Sequence, residues 1–359
     1  IVGHPNGGKS TLFNAVTSGK ALAANYPFAT KGPNGGIITV PDTRLDKLDE
    51  LVNPKRVVPT TVEIVDIAGL IKGASQGEGL GNQFLANIRE VDAIIHVVRC
   101  FDNDNVIHVD GSVDPVRDKE IIDTELILKD LETVEKRLEK LKRQAKSAEK
   151  EAIRAVEIAE KIKDHLETGE PARSCSLEED EIPLYDDLSL LTSKPILYVC
   201  NVDEDSVQEG NEYTQRFMEA VANERAETIL ISADIEADIA GLDTVEERLE
   251  FLEEMGLNEP GVNKLIRATY KLLNLITYFT AGEQEVRAWT ITRGTKAPGA
   301  AGVIHTDFEK GFIRAEVIKY DDYVRYESEA AVKEAGKLSV EGKEYVVVDG
   351  DVMHFRFNV

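Results

Sequence analysis

The sequence predicts an α/β chain: a doubly wound, mostly parallel sheet, a helical coiled-coil arm inserted into it, and a small α+β domain at the C-terminal end. Three observations predict it. Gly3-His4-Pro5-Asn6-Gly7-Gly8-Lys9-Ser10 has the spacing of a phosphate-binding loop and runs straight into the apolar helix Leu12-Phe13-Asn14-Ala15-Val16. Apolar strands and helices alternate as far as residue 99 and resume at 194. Between them, residues 117–168 read as helix, with apolar positions alternately four and three apart.

The 359 residues leave room for two or three domains, and 42% hydrophobic with 30% charged residues is the composition of a globular protein. No stretch approaches the ~20 apolar residues of a membrane span, and no signal peptide is visible in the sequence as given. Three widely spaced cysteines, Cys100, Cys175 and Cys200, argue against a disulfide framework or a zinc site and fit a reducing cytoplasm. A net charge of −24 disfavours non-specific nucleic-acid binding by the whole surface, so any RNA contact needs a local basic patch.

Taken in order, Ile1 and Val2 are what this sequence holds of the strand expected before the loop. In the loop, backbone N–H groups around Gly8, with Asn6, Gly7 and Thr11 beside them, wrap phosphates; Lys9 bridges the outer ones, and the Ser10 hydroxyl is a Mg²⁺ ligand. Residues 24–36 are rich in Gly, Pro and Asn and read as a loop, from which Thr30 can turn its hydroxyl onto the metal. Residues 36–40 and 61–66 read as neighbouring strands. The second ends in Asp66-Ile67-Ala68-Gly69, where the carboxylate can hold a metal-bound water and the Gly69 N–H can sense a γ-phosphate. Residues 71–81, with four glycines, read as a second mobile loop; a helix at 82–90 and a strand at 93–99 follow.

The arm's seam is Ile127, Leu131, Val134, Leu138, Leu141, Ala145, Ala148 and Ala152, and it either continues or folds back at 146–149. Between Lys136 and Arg154 eight basic residues face three acidic ones, which reads either as a solvated, salt-bridged face or as an RNA-contacting patch with Lys142, Arg143 and Lys146 as candidates. The strands 194–200 and 228–231 then deliver Asn201-Val202-Asp203-Glu204 and Ser232-Ala233 to one sheet edge, where a nucleotide base would lie. Helices at 243–255 and 261–275 complete this part. Strands at 287–291, 312–317, 345–348 and 353–357, with one helical piece near 321–335, make the last domain.

These motifs in this order resemble the Obg-like ATPase family, also called YchF, within the translation-factor-related P-loop NTPases. The resemblance is carried by Gly3-x-Pro5-Asn6-x-Gly8-Lys9-Ser10-Thr11, Tyr26-Pro27-Phe28-Ala29-Thr30, Asp66-Ile67-Ala68-Gly69-Leu70 and Asn201-Val202-Asp203-Glu204. It is carried more specifically by 287–298, Ile304-His305-Thr306-Asp307-Phe308 and 349–357. It implies a nucleotide-binding domain over 1–115 and 192–275, an inserted arm over 116–191 and a TGS domain of β-grasp fold over 276–359. It also implies ATP preferred over GTP, a ribosomal or ribosomal-RNA partner, and a cytoplasmic location.

Two departures from ordinary GTPases shape the functional expectation. Guanine-specific relatives carry Asn-Lys-x-Asp; here Val202 replaces the Lys and Glu204 stands at the Asp position, which removes support for guanine. Leu70 stands where many GTPases carry a water-orienting Gln, so hydrolysis is expected to be slow. Asn6 is the second catalytic candidate beside Lys9, through a K⁺ that related proteins hold with an Asn at this place. The expectation is a slow ATPase that gates a ribosome-associated regulator. The rivals are a nucleotide sensor with incidental hydrolysis and a GTP-specific translation-associated GTPase.

Overall fold

A computed structural model describes residues 1–18, 29–30, 35–67, 80–103, 111–145, 150–224 and 226–358. The chain is α/β and divides into two compact units, each assembled from two stretches of sequence: 1–16 with 65–261, and 17–64 with 262–359.

The first unit is organised on four parallel strands in the order β1 (Val2–Gly3), β6 (Ile94–Arg99), β7 (Ile196–Asn201), β8 (Glu227–Ile231). Every residue of β6 and β7 is buried, as a strand covered on both faces requires. Helix α1 (Lys9–Thr17) leaves the loop after β1. Helices α3 (Leu80–Glu90) and α7 (Glu212–Val221) precede β6 and β8. One apolar core joins Val2, Ile88, Val98, Tyr198 and Phe217. The unit closes with α8 (Ala233–Gly241) and α9 (Val245–Glu254).

The arm is a hairpin. α4 (Pro115–Gln144) starts on an Asp114 cap whose carboxylate accepts from the Val116 and Arg117 N–H groups, with Pro115 at the first helical position. α5 (Lys150–Glu167) returns along it, packing Ile158 and Ile162 on Ile127 and Val134 and seating Ala159 against Leu138 and Leu141. The reading that the seam folds back thus holds. A short helix, α6 (Ile182–Leu188), packs beside the hairpin. Buried Asp130 ties α4 to the chain entering β7, accepting from the N–H groups of Leu191 at 2.7 Å and Thr192 at 2.8 Å and from the Thr192 hydroxyl.

In the second unit β2 (Ala29–Thr30), β3 (Gly35–Thr39) and β5 (Thr61–Val65) form a small sheet in that order, so 36–40 and 61–66 are neighbours as expected. A six-stranded sheet runs β12 (Ser339–Glu341), β11 (Phe312–Ile318), β13 (Val352–Phe357), β9 (Leu275–Ala281), β10 (Val286–Thr292), β4 (Val57–Val58). One face is covered by α11 (Ala297–Ile304) through Ala297, Ala300 and Ala301. The other is covered by α2 (Thr43–Val52) through Leu45 and Leu48, and by α13 (Tyr320–Tyr326) and α14 (Glu329–Glu334) through Tyr323 and Val332. Helices α10 (Gly261–Leu272) and α12 (Thr306–Lys310) complete the elements.

Two expectations are corrected. Residues 345–348 are not a strand: only Val346 bridges, to Lys296, and Val346 and Val348 remain exposed, so alternation there follows a connecting segment laid on the core. The helical piece near 321–335 is two helices, broken at Glu327 with φ +61° and restarted on a Ser328 cap.

Candidate functional site

The loop between β1 and α1 is shaped by backbone that few residues adopt. Asn6 has φ +64° and Gly8 φ +85°, and a Cβ added at Gly8 would stand 2.0 Å from Asn201 Nδ2. Glycine is therefore required at position 8 for both conformation and space. The Gly7 N–H closes a turn on the His4 carbonyl at 3.2 Å, and the Leu12 N–H opens α1 on the Gly8 carbonyl at 2.9 Å. Ser10 and Thr11 lie exposed in the first turn of α1, where unpaired N–H groups favour an anion. Lys9 is buried, and its ammonium donates to the Asp66 carboxylate at the exit of β5. The two charges neutralise each other.

Asn201, at the end of β7, is the strut of the site. Its Nδ2 donates to the Gly7 carbonyl at 3.1 Å, and its Oδ1 accepts from the Ala233 N–H at 2.9 Å. One buried amide thus fastens the phosphate loop to the turn between β8 and α8. Val202 is buried, its N–H bonded to the Ile231 carbonyl, whereas Glu204 opens an exposed 3-10 turn whose first N–H partner is the Asp203 carboxylate. Ser232 caps α8, accepting from the Ile235 N–H at 3.5 Å, so its side chain and the Ala233 N–H are both engaged inside the protein.

Asn6, Gly7, Gly8, Lys9, Ser10, Thr11, Asn201, Val202, Ser232 and Ala233 are thus joined by direct hydrogen bonds or adjacency at the C-terminal edge of the four-stranded sheet, with Asp66 reaching Lys9 from the exit of β5 and Glu204 just outside. Ser10 Oγ and the Asp66 carboxylate are the hard oxygen donors that Mg²⁺ takes. Thr30 is placed only as backbone, in β2 opposite Gly36. Gly69, Leu70 and Lys146 lie outside the described residues. On the arm, Lys142 pairs with Glu160 at 2.7 Å across the hairpin and Arg143 faces Glu139 at 3.8 Å, so both candidate cations have a carboxylate neighbour.

Sequence reading missed Arg99, which is buried at the end of β6, donates from Nε to the Phe101 carbonyl at 3.1 Å and lies 4.6 Å from the Phe101 ring centre. An arginine closing an apolar strand at the same edge was the available signal. It also missed His96, fully buried in β6 with neither ring nitrogen hydrogen-bonded among the described residues; burial lowers it from the ordinary 6.5 to about 4. Among the described residues, no helix is long and apolar enough to cross a membrane.

A family model described as 50S ribosome-binding GTPase matches residues 1–161, and the YchF GTPase C-terminal model, described as a protein of unknown function (DUF933), matches residues 275–358. The chain is 58% identical over its full length to a Bacillus subtilis protein named ribosome-binding ATPase YchF, covering 98% of it. It is 55% identical to the protein of that name from Escherichia coli O157:H7, again over its full length and 98% of the relative. The solved structure of the Schizosaccharomyces pombe YchF GTPase matches with a TM-score of 0.88 at 42% identity, covering 99% of this chain and 96% of that one. A GTP-binding protein from Pyrococcus horikoshii shares the fold at a TM-score of 0.62 and 19% identity.

Proposed function

The chain belongs to the YchF family, and on that premise we propose that it is a ribosome-associated ATPase whose nucleotide gates its partner binding. The relatives' name supplies the ribosome and ATP. The observation that carries the reading is the poised loop: Lys9 is held on Asp66 beside a backbone already bent to receive phosphates. Arriving β- and γ-phosphates compete for Lys9 and release the Asp66 carboxylate. Ser10 and Thr30 are the residues proposed to hold Mg²⁺, with Asp66 holding one of its waters; bound there, the cation would offset charge on the phosphates. Asn6 is the proposed holder of K⁺.

ATP is preferred because Val202, at the place where guanine-specific relatives carry Lys, is buried, and Glu204 sits on an exposed turn. The Leu70 side chain cannot orient water, so basal turnover is slow and rises with K⁺ or the ribosome. The segments around Thr30 and 70–81 are the proposed route by which the γ-phosphate acts on the arm, 116–191, and the C-terminal domain, 276–359. The cytoplasm is the proposed location, where a ribosomal partner is met.

Equilibrium binding of ATP and GTP with Mg²⁺, to the wild type and to Val202→Lys with Glu204→Asp, tests the assignment. The wild type should prefer ATP and the double variant should shift toward GTP. Tighter GTP binding by the wild type would make the protein a GTPase. Leu70 also favours a second reading, a nucleotide sensor with incidental hydrolysis, and turnover that stays at its basal rate with ribosomes and K⁺ present would favour it.

A further inference from the structure

Strand β12 (Ser339–Glu341) ends the six-stranded sheet and, among the described residues, pairs only with β11. In an antiparallel pair, alternate N–H and C=O groups of an end strand point away from its neighbour. β12 therefore presents a short row of backbone donors and acceptors to the outside. Its central residue is Val340, which at 58% is the most exposed large apolar side chain among the described residues. Val340 stands opposite Glu316 on β11, and Glu316 stands opposite His354 on β13. Arg356 at 3.2 Å and Arg314 at 3.6 Å hold that carboxylate, so the row beside Val340 is charged and gives its isopropyl group no cover. At the two ends of the strand, Lys337 and Lys343 are exposed and make no ion pair among the described residues; half-buried Glu341 is the one carboxylate between them.

We propose that β12 is a docking edge for an extended segment of a partner protein, with a β-branched residue meeting Val340 and an acidic residue meeting each of Lys337 and Lys343. The backbone row selects a polypeptide, because only a second backbone offers N–H and C=O groups at the same spacing. The side chains select its sequence. A β-branched residue set against Val340 supplies the cross-strand contact that Glu316 does not. Lys337 and Lys343 are six residues apart, up to about 20 Å along extended backbone, so the acidic residues bracket the apolar one from either side. The same two lysines disfavour a second copy of this chain. In the antiparallel register that sets Val340 against Val340, Lys337 of each copy falls beside Lys343 of the other. The docking draws on no residue of the nucleotide site, so it stands or falls separately from the ATPase reading.

The probe is a labelled peptide with a central valine and an aspartate three positions to either side, titrated into the full chain at low salt and followed by fluorescence anisotropy. Lys337→Glu with Lys343→Glu should weaken its binding by about fivefold or more, and should tighten by as much the binding of the same peptide with lysines in place of the aspartates. Val340→Asp, at an exposed position, should abolish binding and leave urea unfolding, read by Trp289 emission, unchanged. Methylating one alternate set of the peptide's amides should abolish binding, and methylating the other set should leave it within about twofold, the signature of an added strand. No saturable binding up to about 1 mM peptide, or equal loss from both methylated sets, overturns the proposal. So does binding of the aspartate peptide that the lysine reversal leaves unchanged. A wild type that sediments as a dimer, with a Val340→Asp variant that sediments as a monomer, gives the edge to a second copy and overturns the partner segment.

Discussion

Gly8 and Asn201 should be energetically coupled, and a double-mutant cycle measures by how much. Asn201→Ala leaves the Gly7 carbonyl and the Ala233 N–H buried without partners. At about 1–3 kcal/mol for each unmet group, the variant should lose roughly 2–6 kcal/mol. Gly8→Ala costs about 1–2 kcal/mol for an L-residue at φ +85°, and in addition drives the new methyl to within 2.0 Å of Asn201 Nδ2. Only that clash disappears when Asn201 is alanine, so the double variant should be more stable than the sum of the single losses by at least about 1 kcal/mol. The single tryptophan, Trp289, lies in the other unit, so urea unfolding should be followed by far-UV ellipticity, with ATP affinity measured in parallel. Additivity within about 0.5 kcal/mol would refute the reasoning, because it would mean that the strut and the loop do not meet as described.

Lys9→Met should reduce ATP affinity by two orders of magnitude or more, and should destabilise the nucleotide-free protein by about 1–3 kcal/mol, because Asp66 loses its partner; calorimetric titration and urea unfolding check the two effects. His96 binds its proton near pH 4 when folded and near 6.5 when unfolded. The unfolded state therefore holds more protons in that window, and stability should fall as pH drops from about 6.5 to 4, by up to about 3 kcal/mol. Its surroundings include Asp123, Lys119, Arg173 and His4, so His96→Leu is the comparison that isolates the imidazole; an equal acid loss in both proteins would contradict the assignment. Gly350→Ala, at φ +92° with its new methyl 3.0 Å from Arg44 Nη1, should destabilise the second unit by about 1–2 kcal/mol, read by Trp289 emission.

The site was legible where chemistry fixes spacing. A phosphate loop needs its glycines, lysine and serine contiguous, and strands covered on both faces, such as 94–99 and 196–201, announce themselves as apolar runs. The seam of the arm was legible for the same reason, since Val134, Leu138 and Leu141 must recur at helical spacing. What depended on partners distant in sequence was not. Helix α2 is mostly polar and is recognised only by its Asp42 cap and by Leu45 and Leu48, whose cover comes from Phe279 and Val286 far along the chain. Ser232 reads equally as a base contact or a helix cap, and only the Ile235 N–H decides. The basic run 136–154 could not reveal that Glu160 lies across from Lys142, nor that Arg89 joins the α4 lysines.

The second unit is discontinuous, and that sets a schedule for making the protein. Residues 17–64 leave the ribosome early, yet the sheet that shelters Leu45, Leu48 and Val57 needs β9, β10 and β13. At ~5–20 residues per second, roughly 230 residues separate β5 from the end of β10, a wait on the order of 10–45 s. Throughout that interval the rest of the first unit is synthesised while Leu45 and Leu48, the buried face of α2, stay uncovered. A premature stop anywhere between about 65 and 350 yields a chain with a complete phosphate loop and a helix that never acquires its cover, a product for quality-control proteases to remove. Val352 to Phe357, on β13, pair with both β11 and β9 and so close the sheet.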